Sequence, residues 1–277
     1  MRDRKSSQIP QHSQLRLSRA EENLSSMIYL KNPDQIKKMQ LAGRITGEAL
    51  LLAGEAVREG VSTQALDKII RNHIEKCGAK PSFLGYGGFP ASACISVNDE
   101  VIHGIPSAKK ILKEGDIVKI DVGAYIEGFH GDSARTFAVG KISDKAQLLI
   151  DATRDSFFEA IKALEKPGAR VGDIGAAVDG YVSKFGFSVV RKYVGHGVGR
   201  DLHEDPSVPN YGTPGRGQRI TEGMVIAIEP MVNEGVSAVR ELSDGWTVLT
   251  ADGKLSSHYE HTVAITENGP LLLTKVD

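Results

Sequence analysis

Cysteine is scarce in this chain of 277 residues: Cys77 and Cys94 stand alone, without C-x-x-C spacing. That excludes a disulfide framework and a zinc site built from cysteines, and makes a reducing, cytoplasmic compartment the expectation. Long hydrophobic runs are missing as well, and nothing approaches the roughly 20 apolar residues that cross a bilayer, so no membrane partner is expected. Nor is there an excess of one charge: 34 Lys plus Arg face 35 Asp plus Glu, a net charge of -1. A dedicated nucleic-acid binder would be basic overall, so nucleic acid is not the expected partner. What remains, 40% hydrophobic and 25% charged residues, describes a folded globular protein long enough for two ordinary domains or one large one.

Residues 1–26 are polar, without sustained periodicity, and read as a flexible arm. They lack the apolar stretch of a secretory signal, and Asp3, Glu21 and Glu22 argue against a transit peptide. Met27 is a candidate start of the folded unit. Beyond it, Asn32 and Pro33 read as the N-cap and first position of a helix carrying Ile36, Met39, Ile45 and Leu50 at helical spacing. Ser62 caps a second helix with the apolar face Leu66, Ile69, Ile70, Ile74 and Cys77, closed by Gly78. His73 on that face is expected to be a core or boundary histidine. β-Branched runs at 94–97, 117–122 and 135–139 predict strands; helices at about 145–165 and 172–184 and strands near 187–193, 224–229, 246–249 and 259–265 follow.

Helices then strands, twice, suggests duplication. Sliding the chain on itself by 108 residues places Gly60 on Gly168, Leu66 on Ile174, Lys76 on Lys184 and Gly78 on Gly186. The same offset lays the run from Glu114 to Asp121 on the run from Glu222 to Glu229. Two related halves, about 27–140 and 141–277, are expected to share one core.

Asp121 and Glu229 each end a run that otherwise reads as a buried strand, and Glu260 repeats the pattern. A lone buried carboxylate is costly unless neutralised, paired or bound to metal. Asp132 joins them if Glu127-Gly128 is a two-residue hairpin turn: paired residues then sum to 255, placing Asp132 opposite Gly123 and diagonal to Asp121. Gly123 should leave open space between the two carboxylates. Pairing with Arg135 or Lys119 is one resolution of the clustered charge; a cation among the acids is the more economical. His196 in Gly-His-Gly-Val-Gly, His203 seven residues on, and His103 before Gly104 add imidazoles. Oxygen-rich ligands with one or two imidazoles suit Mn, Fe or Co, and Zn less distinctively. Four carboxylates suit two bridged ions better than one.

These residues fall in blocks: Asn-Asp-Glu-Val-Ile-His-Gly-Ile-Pro at 98–106, Ile-Asp-Val at 120–122, Phe-His-Gly-Asp at 129–132, Gly-His-Gly-Val-Gly-Arg at 195–200, Ile-Glu-Pro-Met at 228–231, Asp-Gly-Trp-Thr at 244–247 and Tyr-Glu-His-Thr at 259–262. With them the sequence closely resembles the type I methionine aminopeptidases, metallopeptidases of the pita-bread fold, over residues 27–277. The resemblance implies an α+β fold of two pseudo-twofold-related halves around a dinuclear metal site, in one catalytic domain. It implies removal of the N-terminal methionine from nascent proteins and peptides when the second residue is small, a water bridging two ions attacking the first peptide bond.

Position by position, the resemblance makes Asp121, Asp132, His196, Glu229 and Glu260 the ligands of two divalent ions (Co, Mn, Fe or Zn). Glu229 would also move the proton, with His103 and His203 flanking the scissile amide. It implies a methionine pocket of Phe83, Tyr86, Phe89, Cys94, Leu202 and Trp246, and a monovalent cation at Asn98, Ser256 and the backbone of Glu100. The expected partner is a nascent polypeptide or peptide N-terminus, with the ribosome a candidate docking partner and a monomer the expected state. His258 stands where many relatives carry Gln, and Phe83 and Leu202 fill variable positions. Only 25 residues separate His203 from Glu229, too few for the helical insertion of type II enzymes. A prolidase-like enzyme, a pita-bread interaction protein and a metal-independent creatinase-like enzyme are the alternatives. The first would need a full N-terminal domain; the other two should have lost ligands, and all five stand.

Overall fold

A computed structural model describes residues 27–276. The expected arm at 1–26 lies outside the described residues. The first half opens with α1 (Pro33–Ala56) and α2 (Thr63–Lys76), followed by β1 (Lys80–Pro81), β2 (Ala93–Val97), β3 (Glu100–Ile102), β4 (Ile117–Ile126) and β5 (Phe129–Ala138). The second opens with α3 (Asp144–Leu164), α4 (Val171–Val182), β6 (Ser188–Val189), β7 (Gly195–Gly197), β8 (Glu204–Val208), β9 (Val225–Ile228) and β10 (Met231–Asn233). It ends with β11 (Val239–Glu241), β12 (Val248–Thr250), β13 (Ser256–His258), β14 (His261–Thr266) and β15 (Gly269–Leu272). Displacement by 108 residues carries the first residue of α2 onto that of α4, β1 onto β6, and the start of β4 onto that of β9.

Local chemistry sets the helix starts. Asn32 accepts from the Gln35 amide while the Gln35 side chain accepts from the Asn32 amide, a reciprocal capping box with Pro33 at the first helical position. Ser62 caps α2 through the Ala65 amide, and Gly78 takes the left-handed conformation just past its end. Leu66, Ile70 and Ile74 are then fully buried at intervals of one turn.

All strand pairs are antiparallel. In the first half β1, β4 and β2 pair in that order and β5 adds to β4; in the second, the order is β15-β14-β9-β7-β8. The halves do not share one core as expected. Leu50, Leu66, Ile70, Ile95, Val118 and Ile120 belong to the core of the first, while Leu149, Phe157, Val178, Ile226, Ile228 and Val263 belong to a separate core in the second. Each sheet buries one face beneath its own helix pair, at about 1.5–3 kcal/mol per large aliphatic side chain, so two cores form. A smaller apolar cluster including Met39, Phe129, Val198, Val225 and Leu273 joins them.

The join is polar as well. Asp132 N–H donates to Thr262 Oγ1, whose hydroxyl donates to Asp132 C=O, and Glu260 N–H donates to Ala134 C=O at 2.8 Å. Strand β5 of the first half is thus stitched to the β13–β14 segment of the second, bringing Asp132 and Glu260 together. No helix among the described residues is long and apolar enough to cross a membrane.

Candidate active site

The β4–β5 hairpin has the register the turn residues predict. Glu127 and Gly128 both adopt positive φ, 51° and 85°, the type I′ geometry, and Gly123 faces Asp132 across the ladder. Asp121, two residues from Gly123, opens on the same side of the sheet. The space at Gly123 is not open, however. A side chain there would lie 2.7 Å from Ser82 Cβ and 2.9 Å from Phe83 Cε1, so the glycine admits the wall of a pocket. Asp121 sits in the middle of β4 rather than at its end; Glu229 lies just past β9 and Glu260 between β13 and β14.

One segment bearing a candidate ligand was visible in the sequence only through its glycines. His196 is central in β7, a strand that composition does not predict. Gly195 and Gly197 let it form: a Cβ at either would lie about 2.4 Å or less from a carbonyl oxygen of a neighbouring strand, Ala227 and Asp205 respectively. The Gly197 carbonyl, which can only accept, takes the His196 Nδ1–H at 2.8 Å. Nε2 therefore carries the lone pair, and it points at Glu229 Oε1 (3.5 Å) and Asp132 Oδ2 (3.8 Å). Ligand atoms of Asp132, His196 and Glu260 lie within 4.8 Å of one another.

The electrostatics of this cup are those of charge without a counter-charge. Burial and neighbouring acids push the carboxyls of Asp121, Glu229 and Glu260 well above their usual range; burial raises Asp132 to about 7. Among the described residues their ion-pair partners are histidines rather than lysine or arginine. Lys119 instead sends its ammonium to the Asn98 carbonyl, and Arg135 lies against the Tyr259 ring. Asp121 Oδ1 and Asp132 Oδ1 are buried with no hydrogen-bond partner. Orphaned carboxylate oxygens beside a histidine held in the ligating tautomer are the donor set of a divalent cation, and the residues fit one.

Above the cup lies a cavity of about 160 Å³ whose lining includes all five candidate ligands together with His103, His203, Phe83, Tyr86, Phe89, Cys94, Leu202 and Trp246. Phe89 meets Trp246 edge to face at 5.1 Å. His203 Nδ1 is 2.8 Å from the Tyr86 hydroxyl and its ring lies 4.1 Å from that of His196. His103 holds a left-handed backbone conformation, φ 59°, rare for a non-glycine residue, and stands edge-on to Tyr193 and Trp246. Burial lowers His103 to about 4, so it is neutral at pH 7; His203 is lowered too.

At the expected monovalent site, Asn98 C=O accepts from both Lys119 Nζ (2.7 Å) and the Ser256 amide, while the Ser256 hydroxyl donates to Asn233 Oδ1 and Glu100 pairs with Lys110. Sequence reasoning gave no role to Tyr193, whose contact with His103 no spacing reveals. His258 was legible only as a departure from its relatives. Its ring is buried, with neither nitrogen hydrogen-bonded, and Nε2 lies 3.8 Å from Glu229 Oε2 and 4.0 Å from Glu260 Oε2.

Residues 37–267 match metallopeptidase family M24. The chain is 56% identical over 250 residues to a methionine aminopeptidase of Clostridium perfringens, spanning 90% of this chain and 100% of that one. A crystal structure of methionine aminopeptidase from Thermotoga maritima superposes with a TM-score of 0.88 at 46% identity, covering 90% of this chain and all of that one. A prolidase from Pyrococcus furiosus has the same fold at 26% identity and a TM-score of 0.71, but the match covers 66% of its length.

Proposed function

Because the chain belongs to metallopeptidase family M24, we propose that Asp121, Asp132, His196, Glu229 and Glu260 hold two divalent metal ions at the floor of its cavity. The chain is a methionyl aminopeptidase, removing the N-terminal methionine of peptides and nascent chains. The observation that carries the metal assignment is the cup itself: two buried carboxyls, Asp132 and Glu260, two half-buried ones, Asp121 and Glu229, and a lone-pair nitrogen, with no lysine or arginine among their described partners, below an aromatic pocket. Asp132 and Glu260, which the stitched strands bring together, would be shared between the ions, with Asp121 serving one and His196 and Glu229 the other.

When bound, such ions supply Lewis acidity, which lowers the pKa of a coordinated water and polarises a carbonyl. The protein's own groups do the rest. Glu229 receives the proton of the attacking water at Oε2, the oxygen turned toward His258, and returns it to the departing amine. With the Tyr86 hydroxyl donating to its Nδ1, His203 offers Nε2–H to the oxyanion of the tetrahedral intermediate. His103, neutral and held edge-on against the Tyr193 and Trp246 rings, flanks the same amide. Phe83, Phe89, Cys94, Leu202 and Trp246 form an apolar slot suited to a flexible, polarizable methionine side chain.

We place the reaction in the cytoplasm on nascent chains emerging from the ribosome, the protein acting as a monomer. The test is a peptide panel varied at its first two positions, with Mn or Co present. Methionine should leave Met-Ala-Ser and be retained when the second residue is large. Equal release from peptides beginning with other large residues would refute the pocket assignment.

A further inference from the structure

A second cluster of ligand atoms lies outside the active site. His73 and Cys77 are one helical turn apart at the end of α2, and Glu48 reaches them from α1. His73 Nε2 is 3.1 Å from Glu48 Oε2 and 3.6 Å from Cys77 Sγ. His73 is the boundary histidine the sequence allowed, and it makes both of these contacts. Its side chain is 19% exposed and Glu48's 35%, so the cluster is half-buried at the helix–helix seam and open to solvent on one side.

Both contacts end on the same nitrogen. If Nε2 carries a proton, it can be directed at the carboxylate or at the sulfur, not at both. If Nε2 is bare, the thiol can donate to it, but its lone pair then faces the Glu48 carboxylate. Hydrogen bonding thus leaves one contact unserved in either tautomer. A cation at the centre serves all three. Zinc bonds of about 2.3 Å to sulfur and about 2.0–2.2 Å to nitrogen and oxygen give tetrahedral edges of about 3.6 Å between S and N and about 3.4 Å between N and O. The S–N separation already has that length and the N–O separation is a few tenths of an ångström short.

We propose that Glu48, His73 and Cys77 form a zinc site that clips α1 to α2, with the fourth position left to solvent. The donor set, one thiolate, one imidazole and one carboxylate, selects a borderline-soft divalent ion over Mg or Mn. Two cysteines are too few for a cysteine-rich cage, but a mixed site needs only one. Arg44 approaches Glu48 at Oε1, 3.9 Å away, and leaves Oε2 to His73. The clip also stiffens α2, whose Asp67 accepts from the Ser92 and Ala93 amides at the start of the strand that carries Cys94 into the substrate cavity.

The full chain, stripped with chelator and titrated with Co, tests this through a signal the carboxylate cup cannot give: a near-ultraviolet thiolate-to-cobalt charge-transfer band. Wild type should show the band, and Zn should displace it and protect Cys77 from alkylation as mapped by mass spectrometry. Cys77→Ser and His73→Ala should lose the band and one metal equivalent, with methionine release within about twofold of wild type. Cys94→Ser, the control for the cavity thiol, should keep the band. A band that survives Cys77→Ser, or no band together with Cys77 unprotected by Zn in the wild type, overturns the proposal. The alkylation measurement decides the question even should a variant fail to fold.

Discussion

At the residue scale, the informative signal was polarity in the wrong place. Asp121 and Glu229 stood out in the sequence because their neighbours are apolar, and a buried acid demands a partner. The structure then removed the arginine and lysine alternatives, since Arg135 and Lys119 are occupied elsewhere. His258 shows the limit of such reading: it lies two residues from Glu260 in the chain, but its closeness to Glu229 comes from the pairing of β10 with β13, which sets Met231 opposite His258 and which no local pattern encodes. Residues that orient metal ligands typically contribute about 10–100-fold to affinity. His258→Ala is therefore expected to weaken metal binding by about that factor in a calorimetric titration, and His258→Gln to restore most of it. Unchanged affinity in His258→Ala would remove His258 from the account.

At the element scale, strong local signals were legible and borrowed ones were not. The Asn32-Pro33 start, the Ser62 cap and the Glu127-Gly128 turn are properties of a few adjacent residues, and their elements appear where the sequence places them. Strands β1, β3, β7, β8, β10, β11, β13 and β15 were not expected. Each is two to five residues long and owes its extended form to a partner strand rather than to its own composition, as β3 does to the distant β12 and β15 does to β14 across a short turn. The hairpin carries a prediction of its own. Gly123→Ala puts a methyl against Ser82 and Phe83, and overpacking of this kind costs about 1–3 kcal/mol. Because Phe83 lines the cavity, KM for a methionyl peptide should rise along with a fall in Tm; a normal KM would mean that Phe83 does not form the pocket.

For the whole molecule, the 108-residue offset was the most far-reaching reading. It anticipated paired halves, and the displacement reappears in the helices and strands themselves. What it could not convey was that the halves keep separate cores, because periodicity reports which face is apolar and not what covers it. The cup at the join also has a cost for the molecule without metal. A carboxyl whose folded pKa is raised holds its proton more tightly than in the unfolded chain, so stability is greatest below the unfolded value near 3.8 and is lost as pH rises through the folded value, about 7 for Asp132. Asp121, Glu229 and Glu260 are shifted in the same direction. Metal-free protein should therefore melt at a lower temperature at about pH 8 than at about pH 5.5, and metal should reverse the difference by binding the ionised carboxylates. A metal-free protein that gains stability across that interval would contradict the raised carboxyls.

The central claim is that buried acids and His196 make this peptidase metal-dependent. It is tested most directly by methionine release from Met-Ala-Ser by chelator-stripped protein as Mn is added back, in wild type and in His196→Ala. The account predicts no release from stripped wild type, recovery on addition of Mn, and no recovery in His196→Ala. Full release from stripped protein, or from His196→Ala, would contradict it.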